Sequence, residues 1–291
     1  MTEFRTRFAP SPTGLLHLGH AYSAMVAWGL AEEAGGECLL RIEDLDGSRA
    51  RQEFEQAIYE DLQWMGFQWP EPVLRQSKHL IRYGSALELL SERGLTYPCS
   101  CTRADIRAAL SAPQETDGSA AGSGAMIYPG TCRNRPMSDW QAGDAIRLDL
   151  GKAFDFIGNE RLAFEETGSL FKGVHGVDAE RLRMGIGDVV LGRKDTGAAA
   201  YHLAVVVDDA GQGITHVVRG ADLWEVTPLH RVLQALLGLR APKWHHHDLV
   251  RDENGKRLAK RDGARALRSL RENGATPADI RSMALLARGR A

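Results

Sequence analysis

The apolar positions of this chain fall into short buried runs separated by longer amphipathic stretches. Residues 6–11 read as a short strand ending in a proline-rich turn. From His17 onward Met25, Trp28 and Ala31, set among small residues, read as a helix that Gly35 and Gly36 close. ECLLRIED, starting at Glu37, then reads as a buried strand, apolar and bounded by turns. A strand–helix–strand unit of this kind predicts an open parallel sheet, in which ligands sit at the carboxyl ends of strands. EFEQAIYEDLQWMGF and LIRYGSALELLSERG, between residues 52 and 94, carry the apolar stripe of amphipathic helices. Farther on, HLAVVVDD reads as a second buried strand, followed by ITHVVRG. Residues 112–125, APQETDGSAAGSGA, have the low-complexity composition of a mobile loop.

A length of 291 residues suits one large α/β domain, or two smaller ones sharing a site. Hydrophobic residues make up 43% and charged residues 25%, as in ordinary globular proteins. No apolar run approaches the roughly 18 residues needed to span a bilayer, so no membrane partner is expected. MTEFRTRFAPSP has no apolar h-region, so no secretory signal is expected and a cytoplasmic location is. The net charge of −2 is unevenly spread: residues 240–291 hold 13 Lys/Arg against 6 Asp/Glu, a formal +7, and the rest carries −9. A basic tail on an acidic body suits a polyanionic partner, and equally a solvated helical face that aids solubility.

Four cysteines occur, at positions 38, 99, 101 and 132. In a reducing compartment a close cluster points to metal or catalysis and not to disulfides. Cys99 and Cys101 lie one residue apart, and Cys132 follows after a loop; together they supply three ligands of a tetrahedral zinc site. Three reduced structural thiols are the alternative. Cys38, inside ECLLRI, reads as a buried core thiol. His245, His246 and His247 are consecutive, so their side chains cannot easily converge on one ion, and they read as a polar connection.

Two further motifs concern phosphate. In RFAPSPTGLLHLGH, residues 7–20, His17 and His20 share one face of a first helical turn. A helix start offers unpaired N–H groups and a positive dipole end, suited to a triphosphate. Gly19 lets a nucleotide approach the backbone, while Pro10 and Pro12 stiffen the turn. The histidines could instead be caps or core. In GKRLAKRDGARAL, residues 255–267, a glycine-flanked basic loop can wrap pyrophosphate; a solvated surface is the other reading.

These residues resemble a known family, the glutamyl class of the class I aminoacyl-tRNA synthetases. RFAPSPTGLLHLGHA is similar to that family's opening, with HLGH in place of its HIGH signature. LLRIEDLD, VVLGRKDTGAAAYHLAVVVDD and ITHVVRGADLWEVTPLH resemble further blocks in the same order, and RLAKR stands where the KMSKS loop belongs. In RLAKR, Leu258 and Lys260 keep the family pattern, whereas Arg257 and Ala259 replace a lysine and a serine. The resemblance implies a glutamate pocket from Arg7, Phe8, Ala9, Pro10, Ser11, Glu43, Tyr201 and Arg219. Arginine can offer a bidentate fork to a carboxylate, and Glu43 could hold the substrate ammonium. The resemblance further implies ATP contacts from His17, Gly19, His20, Leu258 and Lys260, with His17, His20 and Lys260 as the catalytic groups and Mg²⁺ on the phosphates. It also implies Tyr128 as fourth ligand of one structural zinc beside Cys99, Cys101 and Cys132.

The fold expected is therefore α/β: a Rossmann-like parallel-sheet domain (residues 1–96 and 188–238) split by a zinc-bearing insertion (97–187). A basic, mostly helical appendage (239–291) carries the KMSKS-like loop, and no anticodon-binding domain is expected. In that respect the chain resembles the family's truncated members, which make glutamyl-AMP and move glutamate onto the queuosine base of tRNA(Asp). The expected partners are queuosine-bearing tRNA(Asp), L-glutamate and ATP, with the enzyme a monomer. Two alternatives stand beside this. A compact enzyme could charge the 3′ end of tRNA(Glu), or a degenerate paralogue could bind RNA without catalysis. Acceptor choice separates the first, and ATP–pyrophosphate exchange the second.

Overall fold

The first eighty residues fold as their pattern predicts. The structure, a computed structural model, describes residues 3–111, 127–194, 198–251 and 266–288. Strand β1 (Arg5–Phe8), helix α1 (Leu18–Glu33) and strand β2 (Glu37–Ile42) form a unit whose strands pair in parallel, Arg7 opposite Leu39 and Phe8 opposite Leu40. The buried face of α1 is made of Ala21, Ala24, Ala27 and Ala31, small side chains that let the helix lie close to the sheet. Helix α2 (Gln52–Trp64) leads to a short strand β3 (Leu74–Arg75), parallel to β2, and then to helix α3 (Leu80–Glu92). Ile58 and Leu62, one turn apart on α2, sink into the core formed by Phe8, Leu16, Leu40 and Ile42.

The middle of the chain forms strand β4 (Thr96–Cys99), helix α4 (Arg103–Ser111), strand β5 (Ala145–Leu148) and helix α5 (Leu150–Ile157). Strands β6 (Ala163–Glu166) and β7 (Gly173–Gly176), helix α6 (Ala179–Gly185) and strand β8 (Val190–Gly192) follow. Strands β4, β5 and β8 make a small antiparallel sheet. The chain then runs through helix α7 (Tyr201–Gly211), strand β9 (His216–Gly220), helix α8 (Thr227–Leu237) and strand β10 (Lys243–His247). Helices α9 (Leu267–Glu272) and α10 (Pro277–Leu286) come last.

Strand β10 pairs in parallel with β9 on one side and β6 on the other, giving the order β7-β6-β10-β9. The β6–β7 hairpin, which lies in the span expected to be an insertion, is thus hydrogen-bonded to the parallel sheet. At the other edge the Thr215 N–H donates to the Arg5 carbonyl at 2.9 Å and the Arg5 N–H to Thr215 Oγ1 at 2.8 Å, so β9 runs beside β1. The β1/β9 seam is where the strand order reverses, the position at which open α/β sheets open a ligand crevice.

Two expectations are corrected. HLAVVVDD is not a strand but most of α7. Its residues from Leu203 to Asp209 are all buried, so no polar face betrays the helical period, and a fully apolar run suits either element. The three consecutive histidines are not a connection but the end of β10. They do diverge: His245 meets Thr167, His246 meets Glu166, and His247 meets Ser23. Among the described residues no helix is long and apolar enough to cross a membrane.

Candidate active site

A cleft of about 520 Å³ opens at the carboxyl ends of β1 and β9. Arg7 and Phe8 end β1 and Ala9, Pro10 and Ser11 follow them; Glu43 follows β2 directly. Arg219 is the penultimate residue of β9, Tyr201 the first of α7, and His17, Gly19 and His20 surround the start of α1. All of these, each expected from sequence, line the one cleft. Leu258 and Lys260 lie outside the described residues.

At the start of α1 the two histidines form a reciprocal cap. His17 Nδ1 accepts from the Gly19 N–H at 3.1 Å, and His20 Nδ1 accepts from the His17 N–H at 3.2 Å. Each ring therefore has an unprotonated Nδ1, and the centroids lie 3.9 Å apart. Capping and cleft lining are thus done by the same side chains. A Cβ at position 19 would stand 3.0 Å from His17 Cε1, so glycine here gives room to the imidazole as well as to a nucleotide.

Beneath the cleft Arg7 and Glu43, both expected from sequence, join a buried network whose other members, Arg41, Asp208 and Asp209, were not singled out. Arg7 donates through Nε to Asp209 at 2.9 Å and through Nη2 at 3.4 Å, and its Nη1 donates to the Val218 carbonyl. Arg41, fully buried on β2, donates to the same Asp209 at 2.7 Å and to Glu43 at 3.1 Å. Asp208 in turn accepts from Gln76 and Tyr83. Burial pushes the Asp209 carboxyl up, but Arg7 and Arg41 outweigh it and hold it below its usual range. For Glu43 burial wins over Arg41 and Arg7, and its carboxyl is raised. Because Nε and Nη2 grip Asp209, this arginine offers a substrate one remaining N–H on each Nη and not its side-on Nε/Nη2 edge. Arg41, Asp208 and Asp209 had a signal in the sequence: charges placed inside otherwise apolar runs, LLRIED and VVVDD.

Away from the cleft, the Sγ atoms of Cys99, Cys101 and Cys132 lie within 4.8 Å of one another, with Cys101 and Cys132 at 3.5 Å. The Tyr128 hydroxyl is 3.4 Å from Cys99 Sγ and 3.6 Å from Cys101 Sγ. A zinc tetrahedron with its usual bond lengths separates two sulfurs by about 3.8 Å and a sulfur from an oxygen by about 3.5 Å. The donor set therefore fits that ion. Tyr128 is held in place by the Cys132 N–H, which donates to its oxygen at 2.8 Å, and by Arg147, whose Cζ sits 3.8 Å above the ring centroid.

The comparisons with known proteins agree with this geometry. Residues 3–127 and 178–289 match the family model described as tRNA synthetases class I (E and Q), catalytic domain. A glutamyl-Q tRNA(Asp) synthetase of Rhodobacter capsulatus is 52% identical over 281 residues, covering 96% of this chain and 98% of the relative. The chain belongs to the glutamyl-Q tRNA(Asp) synthetase family, within class I. A second family member, from Nocardia farcinica, is 44% identical over 94% of this chain and 81% of its own. The fold is also that of a crystal structure of glutamate-tRNA synthetase from Elizabethkingia anophelis, with a TM-score of 0.69 and 28% identity. That match covers 90% of this chain and 53% of the solved one, so the chain spans about half of that relative's length. As a class I synthetase the protein is an enzyme of ligase type that uses ATP with Mg²⁺. Family blocks alone did not indicate Asp222 or the 247–250 segment, which also line the cleft; only the strand pairing of β10 with β9 brings that segment there.

Proposed function

We propose that this enzyme activates L-glutamate with ATP and transfers the glutamyl group to queuosine in the anticodon of tRNA(Asp). The observation that carries this reading is the cleft itself. It joins Arg7, Glu43 and Arg219, charges suited to an amino dicarboxylate, to the capped start of α1, suited to a triphosphate. A glutamate α-carboxylate oxygen attacks the ATP α-phosphorus, the bond from that phosphorus to the α,β-bridging oxygen breaks, and pyrophosphate leaves. A hydroxyl of the queuosine cyclopentenediol then attacks the glutamyl carbonyl, and AMP leaves. Glu43 holds the substrate ammonium, Arg7 and Arg219 its carboxylates, and Phe8, Ala9, Pro10, Ser11 and Tyr201 shape the pocket. His17, His20 and, from the sequence, Lys260 steady charge on the transferring phosphate, with Gly19 and Leu258 against the nucleotide. Mg²⁺ neutralises the phosphates. One structural zinc is held by Cys99, Cys101, Tyr128 and Cys132. The enzyme works as a monomer in the cytoplasm.

Labelled glutamate should transfer to native queuosine-containing tRNA(Asp) and not to an unmodified transcript of the same tRNA. Labelling of both tRNA(Asp) forms alike, or efficient labelling of tRNA(Glu), would overturn the acceptor assignment. Absence of glutamate-dependent pyrophosphate exchange would overturn the activation step.

A further inference from the structure

Arg219 differs from Arg7 and Arg41 in what holds it. Among the described residues no carboxylate lies within ion-pair distance of it, although it is buried. Buried cations ordinarily keep an anion beside them. Here four of the five guanidinium N–H groups go to neutral acceptors. Nε donates to His246 Nε2 at 3.1 Å, Nη1 to His230 Nδ1 at 3.1 Å, and Nη2 to the Leu223 carbonyl at 3.1 Å and Thr227 Oγ1 at 2.8 Å.

An imidazole nitrogen can accept from arginine only while it carries no proton, so His246 must hold its proton on Nδ1. Glu166 dictates that arrangement. Its Oε2 lies 2.6 Å from His246 Nδ1, and its Oε1 accepts from the backbone N–H groups of His246 at 2.9 Å and Gly168 at 2.7 Å. The turn after β6 fits no other residue at position 168: a Cβ there would stand 2.5 Å from the His246 carbonyl and 2.7 Å from Glu166 Oε1. Aromatic cover comes from Trp224 and Phe171, stacked on each other and edge-on to the His246 ring at 5.3 and 6.4 Å between centroids. On the far side, His230 accepts from Arg219 through Nδ1, so its Nε2–H faces His202 Nδ1 at 3.1 Å. Burial lowers both of these histidines, His202 to about 4, and it also lowers His246 against the pull of Glu166. All three rings are neutral at physiological pH, and Arg219 keeps a charge that no adjacent carboxylate quenches.

We propose that Glu166 and His246 are positioning residues of the amino-acid pocket: Glu166 pins the His246 proton on Nδ1, and the bare Nε2 orients the Arg219 guanidinium at the cleft. This rests on Arg219 as a contact for the substrate carboxylate. In that role an arginine held by neutral partners attracts an anion more strongly than one already paired, as Arg7 is with Asp209. Glu166→Gln exposes the device, because the amide must turn its NH₂ toward either His246 Nδ1–H or the two backbone N–H groups, donor against donor in both cases.

The test uses glutamate-dependent pyrophosphate exchange together with ¹⁵N-histidine NMR of the intact wild-type chain. Glu166→Gln and His246→Leu should each raise KM for glutamate about tenfold or more while KM for ATP stays within about twofold. His246→Gln, which returns an oxygen acceptor near the Nε2 position, should recover most of that loss. The NMR should show His246 protonated on Nδ1 and bare on Nε2. A wild-type His246 carrying its proton on Nε2 overturns the proposal even if every variant misfolds. So does an unchanged glutamate KM in folded Glu166→Gln, provided Arg219→Lys raises it. If Arg219→Lys itself leaves glutamate KM unchanged, it is the pocket reading of Arg219 that fails.

Discussion

Replacing Asp209 with asparagine removes one negative charge from the point where two arginines meet. Asp209 accepts from Arg7 Nε at 2.9 Å and from Arg41 Nη1 at 2.7 Å, and the three side chains are 9%, 6% and 0% exposed. Breaking a buried pair by losing one partner costs about 3–5 kcal/mol, mostly through the charge left uncompensated. Arg41 keeps Glu43 at 3.1 Å and Gln212 at 3.1 Å, and asparagine keeps one acceptor oxygen. Arg7 keeps only the Val218 carbonyl. The expected loss is therefore at the lower end, about 3 kcal/mol, on the order of a hundredfold in the folding equilibrium. Reversible urea unfolding at pH 7, followed by tryptophan fluorescence, measures it. The pH dependence gives an independent reading. The Asp209 carboxyl lies below its ordinary 3.8 in the folded chain, so its stabilisation is complete above that value and fades as pH falls through the lower folded value. The gap between wild type and variant should be flat through neutrality and close only in strong acid. A loss under about 1 kcal/mol at pH 7, the scale of exposed pairs, would refute the account of a buried charge network.

Three other substitutions test separate parts of the molecule. His17→Asn supplies another N-cap acceptor, so thermal stability should hold while pyrophosphate exchange falls about a hundredfold; lost stability with full activity would leave His17 a cap alone. Elemental analysis should find about one zinc per chain in the wild type and far less in Cys101→Ser, and equal metal in both would place the ion elsewhere. Asp61 is buried on α2 with neither carboxylate oxygen hydrogen-bonded, and burial, only partly opposed by Arg271 at 3.6 Å, raises its carboxyl to about 6. A raised folded value means that ionisation costs stability, a cost that is complete above about pH 6 and relieved as pH falls from 6 toward the ordinary 3.8. Wild-type stability should therefore be level near pH 8 and rise as pH falls through 6, and Asp61→Asn should be the more stable at pH 8 by about 1–3 kcal/mol. A variant less stable than wild type at pH 8 would contradict this.

The parts legible in the sequence were those where one residue's chemistry and its local period agree. The turn before α1, the apolar ECLLRI strand and the stripe on α2 each carry their own signature, and Arg7, Glu43 and the histidines sit on those signatures. Helix α7 was not legible because neighbours on all sides bury it, leaving valines that suit a strand equally well. The function of Asp209 was hidden for a related reason: its partners stand 202 and 168 residues away, and no local pattern encodes such a pairing. The capping by His17 and His20 was open from the start, and the structure shows one pair of rings that both caps α1 and lines the cleft.

The seam between β1 and β9 also sets a timetable for synthesis on the ribosome. At about 5–20 residues per second, Arg7 emerges some 10–40 s before Asp209 exists to meet it. During that interval the nascent N-terminal unit holds two arginines destined for burial without their shared counter-ion. Its apolar cluster also waits for Leu267, Leu270 and Ile280, the first of which is made 225 residues after Ile42. A β-α-β segment that can pair its own strands early still lacks part of its core until those residues are made. Until then that incomplete core is open to chaperones and proteases, and slow codons between positions 42 and 267 would lengthen the exposure.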